Sequence, residues 1–124
     1  MKAIFARFLF AIAKSHFGAV VIRWSFAHVV GWMPLHKLRD TPRLVAFYHP
    51  KPSHRVHVLI VPKRGISSFT ALTSDDYPVL HEIVCVAQEL VAELGLQEKG
   101  YRLIVNGGAY QNVQQLHYHL ISDD

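Results

Sequence analysis

The sequence is poor in cysteine, with Cys85 alone among 124 residues, so neither an intramolecular disulfide nor a cysteine-built zinc site can staple the fold. A reducing compartment suits such a chain, and a cytoplasmic location is expected. Acidic residues are scarce in the first half: Met1 to Arg64 holds eleven basic residues and one acid, Asp40, whereas Gly65 to Asp124 holds two basic and eight acidic. That basic half implies attraction to phosphate, on a nucleotide, a nucleic acid or an anionic lipid, and charge alone does not choose among them. No uncharged apolar run reaches the 18 or so residues of a membrane-spanning helix, because Arg7, Lys14 and Arg23 interrupt the N-terminal stretch. Arg7 also splits what would be the apolar centre of a cleavable signal peptide, which disfavours that reading. Internal repeats and low-complexity tracts are absent. With 51% hydrophobic residues, intrinsic disorder is excluded and one compact domain is expected.

The periodicity divides the chain into a helical segment, residues 1–34, and a domain, residues 35–124. In the first, Phe5, Phe8, Leu9, Ile12, Val20 and Trp24 make a wide apolar surface beside basic stripes, and Pro34 ends it. Such a helix packs on its own domain, on a partner subunit, or in a membrane interface; a peripheral contact with anionic lipid is the favoured expectation. Leu35 to Arg43 reads as a basic connector. Leu44 to Tyr48 and Val56 to Val61 read as strands, with Pro50 and Pro52 in their connection. Thr73 or Ser74 offers an N-cap, Asp75 and Asp76 suit a helix N-terminus, and apolar residues recur at helical spacing from Leu80 to Leu94 until Gly95. Tyr101 to Val105 and Leu116 to Ile121 complete a predicted four-strand, one-helix α+β domain with a largely antiparallel sheet.

The segment Gln115-Leu116-His117-Tyr118-His119-Leu120 alternates polar and apolar residues, so Gln115, His117 and His119 are predicted to share one face of a strand. Two imidazoles on neighbouring pleats suggest a nucleophile or ligand pair, with hydrogen-bonded surface histidines as the equally weighted alternative. His57 stands at the start of an earlier strand, with His54 three residues before it. The stretch Asn106-Gly107-Gly108-Ala109-Tyr110-Gln111-Asn112 pairs glycines, which let backbone approach a ligand, with amides that can donate to phosphate oxygens. It is neither a Walker loop nor a dinucleotide fingerprint.

In this order, from about Leu44 to Ile121, these segments resemble the histidine triad (HIT) superfamily of nucleotide-binding proteins. The match includes Val61-Pro62-Lys63, Gly100-Tyr101-Arg102-Leu103-Ile104-Val105-Asn106 and, above all, the terminal histidine segment. The resemblance implies that His117 attacks the α-phosphorus of a nucleotide to give a nucleotidyl-histidine. It implies further that His119 is the third histidine, that His57 lies in the site, and that Asn106 is a phosphate-side amide, with Asn112 at a position that is commonly Ser. As residue types, the Asn106, Gln111 and Asn112 amides can all donate to phosphoryl oxygens and are the expected phosphate-binding set. Two departures stand out. Gln115 occupies the first triad position, where it would hold a neighbouring imidazole by its amide without carrying a proton, and restoring histidine there would speed turnover. His49 stands where relatives often place a carboxylate for the ribose hydroxyls.

A nucleotide hydrolase or nucleotidyl transferase acting on a nucleoside phosphate derivative is therefore expected, with no cofactor, no metal, no specific nucleic acid, and a homodimer as the resemblance implies. A nucleotide-binding module of weak turnover is the alternative. A metal site built from His57, His117 and His119 ranks last, because no carboxylate or thiolate accompanies them.

Overall fold

The computed structural model describes residues 36–123; the N-terminal segment, and with it the expected helix and its membrane contact, lies outside the described residues. The elements run β1 (Lys37–Asp40), β2 (Leu44–Tyr48), β3 (Val56–Pro62), α1 (Tyr77–Glu93), α2 (Leu96–Lys99), β4 (Arg102–Val105) and β5 (Tyr118–Ser122). Short 3-10 turns cover Phe69–Ala71, Ser74–Asp76 and Gly108–Tyr110. They form one antiparallel five-stranded sheet in the order β1-β2-β3-β5-β4. The fold is α+β with one main helix, as expected, but with a fifth strand. β1 arises inside the supposed connector, where the hydroxyl of Thr41 accepts from the Arg43 and Leu44 amides and turns the chain back onto β2. No helix among the described residues is long and apolar enough to cross a membrane.

Alternation along the strands sorts the core. Leu44 and Ala46 on β2, Val58 and Ile60 on β3, and Leu120 on β5 pack against Val79, Ile83, Val86, Ala87, Leu90 and Val91 of α1. The intervening positions, among them Val45, Phe47, His57, Leu59, Val61 and His119, point to the opposite face. The 3-10 turn Ser74–Asp76 that leads into α1 is capped as its residues demand: the carboxylate of Asp76 accepts the Thr73 amide in a capping box and is paired with the guanidinium of Arg64 at 2.8 Å. Backbone donation from Thr73, more than the nearby Arg64, holds the Asp76 carboxyl below its ordinary range. Gly95 ends the helical run at a φ of 68°, a left-handed conformation that glycine adopts without strain.

Candidate active site

The register of the sheet brings the histidines together. Leu59 pairs with His119 and His57 with Ile121, so His57 and His119 are diagonal neighbours on one face. Their rings meet edge to edge, His57 Nε2 lying 2.9 Å from His119 Nδ1. His117 sits one pleat before His119, with ring centroids 5.0 Å apart. On the other side His49 stacks on His57 at 4.5 Å, and His54, whose Nδ1 is 3.0 Å from a carboxylate oxygen of Asp123, lies edge-on to His57.

Hydrogen bonds to the backbone fix the tautomers of this row. An amide N–H can only donate, and the Ser53 N–H points at His57 Nδ1 over 3.1 Å. His57 in its neutral form therefore carries its proton on Nε2 and donates it to His119 Nδ1, which leaves the His119 proton on Nε2. A carbonyl can only accept, and the carbonyl of Gln115 lies 2.7 Å from His117 Nδ1. The His117 proton is thus on Nδ1 and its lone pair on Nε2. Burial, reinforced by the surrounding imidazoles, pushes the pKa of both His57 and His119 down to about 4, so both are neutral at neutral pH. Burial also lowers the pKa of His117, and the Gln115 carbonyl offsets that only in part. The result is one uncharged nucleophilic nitrogen beside one uncharged N–H donor.

A cavity of about 650 Å³ opens over these rings, of the size that takes a small organic ligand. His49, His57, His117 and His119 line it, as do Asn106, which follows β4, and Asn112. Neither asparagine amide makes a hydrogen bond within the described residues, so both are available to a ligand. Lys51, Ser53 and Tyr110 also line the cavity, and none of them was singled out from the sequence; Tyr110 is 81% exposed at the rim.

Two predicted site residues lie elsewhere. Gln115 is 1% exposed and its side chain does not reach an imidazole: Oε1 accepts the Ile66 amide at 3.1 Å, and Nε2 donates to the carbonyls of Pro62 and Arg64 at 3.1 and 2.9 Å. Its contribution to His117 is the backbone carbonyl. Strand β5 starts only at Tyr118, and ahead of it the chain turns the Gln115 amide inward to the segment after β3. Gln111 is likewise spent on the frame, donating to the Ser67 and Val113 carbonyls at 2.7 and 3.0 Å and bracing the glycine loop from behind. The metal alternative also loses its geometry. His57 and His119 turn ring nitrogens toward each other at hydrogen-bond distance, and no group of three or more His, Cys, Asp or Glu among the described residues is arranged to hold an ion.

The chain and its fold have counterparts among known proteins. A HIT-like protein of Helicobacter pylori, itself of uncharacterised function, is 35% identical over 98 residues, covering 77% of this chain and 91% of the relative. A crystal structure of a HIT family hydrolase from Legionella pneumophila superposes with a TM-score of 0.73 at 30% identity, covering 80% of this chain and 91% of that one. The histidine triad nucleotide-binding protein of Candida albicans superposes with a TM-score of 0.68 at 33% identity, over 80% of this chain and 74% of its own. The HIT domain matches residues 32–124, and with that span and these relatives the chain belongs to the HIT family.

Proposed function

We propose that this chain is a nucleotide hydrolase or nucleotidyl transferase that works through a covalent nucleotidyl-His117 intermediate. The observation that carries the reading is the 2.7 Å bond from His117 Nδ1–H to the Gln115 carbonyl, which leaves Nε2 as a lone-pair nucleophile on a ring that lines the cavity. The names of the Legionella and Candida relatives, a hydrolase and a nucleotide-binding protein, support it.

In the first step Nε2 forms a bond to the α-phosphorus while the bond from phosphorus to the leaving group breaks, the leaving group departing with the electron pair. His119 Nε2–H donates to the leaving atom or to a phosphoryl oxygen, and Asn106 and Asn112 supply fixed donors for the charge that builds on phosphorus oxygens. In the second step water, or another acceptor, attacks phosphorus and the electron pair returns to Nε2. His119 keeps its proton and acts as a hydrogen-bond donor; the leaving group takes its proton from solvent, and the proton lost by water in the second step returns to solvent. Gln115 does not argue for a silent site, since its side chain belongs to the frame and holds the carbonyl that orients the nucleophile.

Quenching a reaction with a nucleoside phosphoramidate and locating the adduct by mass spectrometry tests the reading. The nucleotidyl group is expected on His117. The His117→Ala variant should form no product while binding nucleotide within about tenfold of the parent, because the ring acts chiefly in the transition state. An adduct on another residue, or an active His117→Ala protein, overturns it.

A homodimer belongs to the same proposal. β4 is an edge strand, and Val84 on α1 with Tyr101 and Leu103 leaves a half-exposed apolar groove beside that edge. A second copy that extends the sheet through β4 would cover both.

A further inference from the structure

The cavity is chemically lopsided. The side nearest His117 offers the asparagine amides. The opposite side is the turn from His49 to Arg55 between β2 and β3, in which Lys51, His54 and Arg55 are basic and no residue is acidic. The row of rings spans the two: centroids step 5.0 Å from His117 to His119, 5.2 Å to His57 and 4.5 Å to His49. Among the described residues no Asp or Glu lines the cavity, and Lys51 is the only formally charged one that does.

Pro50 and Pro52 bring no N–H to the turn, and the Lys51 and Ser53 amides are spent on His49 and His57, so what the turn offers a ligand is its side chains. The Lys51 N–H donates to His49 Nδ1 at 2.9 Å, so His49 in its neutral form carries its proton on Nε2 and is a donor there. Lys51, like Arg55, Lys99 and Arg102, has no ion-pair partner among the described residues, and of these four Lys51 is the one that lines the cavity. A bare ribose presents two hydroxyl donors and is best met by a carboxylate. An ammonium with donors around it instead matches a group that is all acceptor and carries charge, such as a phosphate.

We propose that the substrate bears a second phosphate on its sugar, away from the phosphorus that His117 attacks, and that Lys51 and the turn at His49 and Ser53 receive it. This rests on the nucleotidyl-histidine reading and narrows it: the substrate class is a derivative of a nucleoside bisphosphate rather than of a simple 5′-monophosphate.

Calorimetry on the full chain at low salt, with adenosine 5′-monophosphate, the 5′-diphosphate and the 2′,5′- and 3′,5′-bisphosphates, tests it. One of the two bisphosphates is expected to bind about tenfold tighter than the monophosphate, roughly 1.4 kcal/mol, and the advantage should shrink as salt rises. Lys51→Ala should bring the ratio of the two affinities to within about twofold of unity. His49→Asp, which adds an acceptor at the turn, should reverse the preference. A monophosphate that binds as tightly as both bisphosphates overturns the inference. So does a 5′-diphosphate with the same Lys51-dependent gain, since its extra charge lies on the leaving-group side. If phosphoramidates still form the His117 adduct without a bisphosphate preference, this inference alone fails; if no adenosine nucleotide binds and no adduct forms, the underlying reading fails with it.

Discussion

Replacing Gln115 separates a framework role from a catalytic one. Its side chain makes three hydrogen bonds of 2.9 to 3.1 Å to Pro62, Arg64 and Ile66, while the Leu116 amide returns a bond to the Ile66 carbonyl at 2.7 Å. Gln115→Leu keeps the volume and deletes all three side-chain bonds, at about 1 kcal/mol each, or about 3 kcal/mol in total. For a domain of this size that lowers Tm by roughly 10 °C, which leaves the protein folded at room temperature. Gln115→His keeps one donor and one acceptor where the amide uses two donors and one acceptor, so one backbone partner is orphaned at a cost of about 1–2 kcal/mol. Because side chain 115 faces the segment 62–66 and not the imidazoles, the new histidine should not raise the hydrolytic rate. Urea denaturation of both variants, alongside single-turnover kinetics, measures the two effects. The reasoning is refuted if Gln115→Leu matches the parent within about 0.5 kcal/mol, or if Gln115→His speeds release of the nucleotide.

Three other outcomes follow from the geometry. His57 and His119 have folded pKa values near 4, below the 6.5 of a free imidazole, so the unfolded chain binds protons that the folded chain refuses; stability should be complete above about pH 6.5 and fall toward pH 4, each ring contributing at most about 1.4 kcal/mol per pH unit, as denaturation at a series of pH values would show. His119→Ala should slow adduct formation less than His117→Ala, since water can replace a lost donor but not the nucleophile, and equal losses in rapid-quench assays would make the two rings a single unit. Leu103→Asp, on the exposed edge strand, should convert a dimer to a monomer in analytical ultracentrifugation, and an unchanged sedimentation coefficient would place any interface elsewhere.

Elements with a strong local pattern were legible in the sequence. Leu44 to Tyr48 is the strand that its apolar run predicts, and Thr73 with Asp76 forms the capping box of the 3-10 turn that leads into the main helix. β1 was not legible, because Lys37-Leu38-Arg39-Asp40 has no apolar alternation of its own. It is a strand because Asp40 lies opposite Val45 and holds Lys63, and because Arg39 reaches Glu89 and Glu93 on α1. Those partners lie from a few to some fifty residues away, beyond any short window. The helix also shows where periodicity overreaches: Val84 fits the apolar spacing yet is half exposed, on the side of α1 nearest the free edge of the sheet.

The site divides along a different line, between which side chains carry chemistry and what decides how they carry it. His57, His117, His119, Asn106 and Asn112 were visible as residue types in suggestive places, and the fold collects them around one cavity. Gln111 and Gln115 were equally suggestive as amides near that loop, and backbone carbonyls claim them instead. A sequence does not distinguish an amide that faces a ligand from one that faces a turn, because the choice depends on which carbonyls the fold leaves needing a donor. The same limit hides the tautomers. Whether His117 offers a lone pair or a proton to the cavity is set by the carbonyl of residue 115, and whether His119 offers a proton is set through His57 by the amide of Ser53. Both controlling groups are main-chain atoms, present at every position and informative at none until the chain is folded. Side-chain identity therefore nominates the reactants here, and backbone geometry assigns nucleophile and donor between two chemically identical imidazoles.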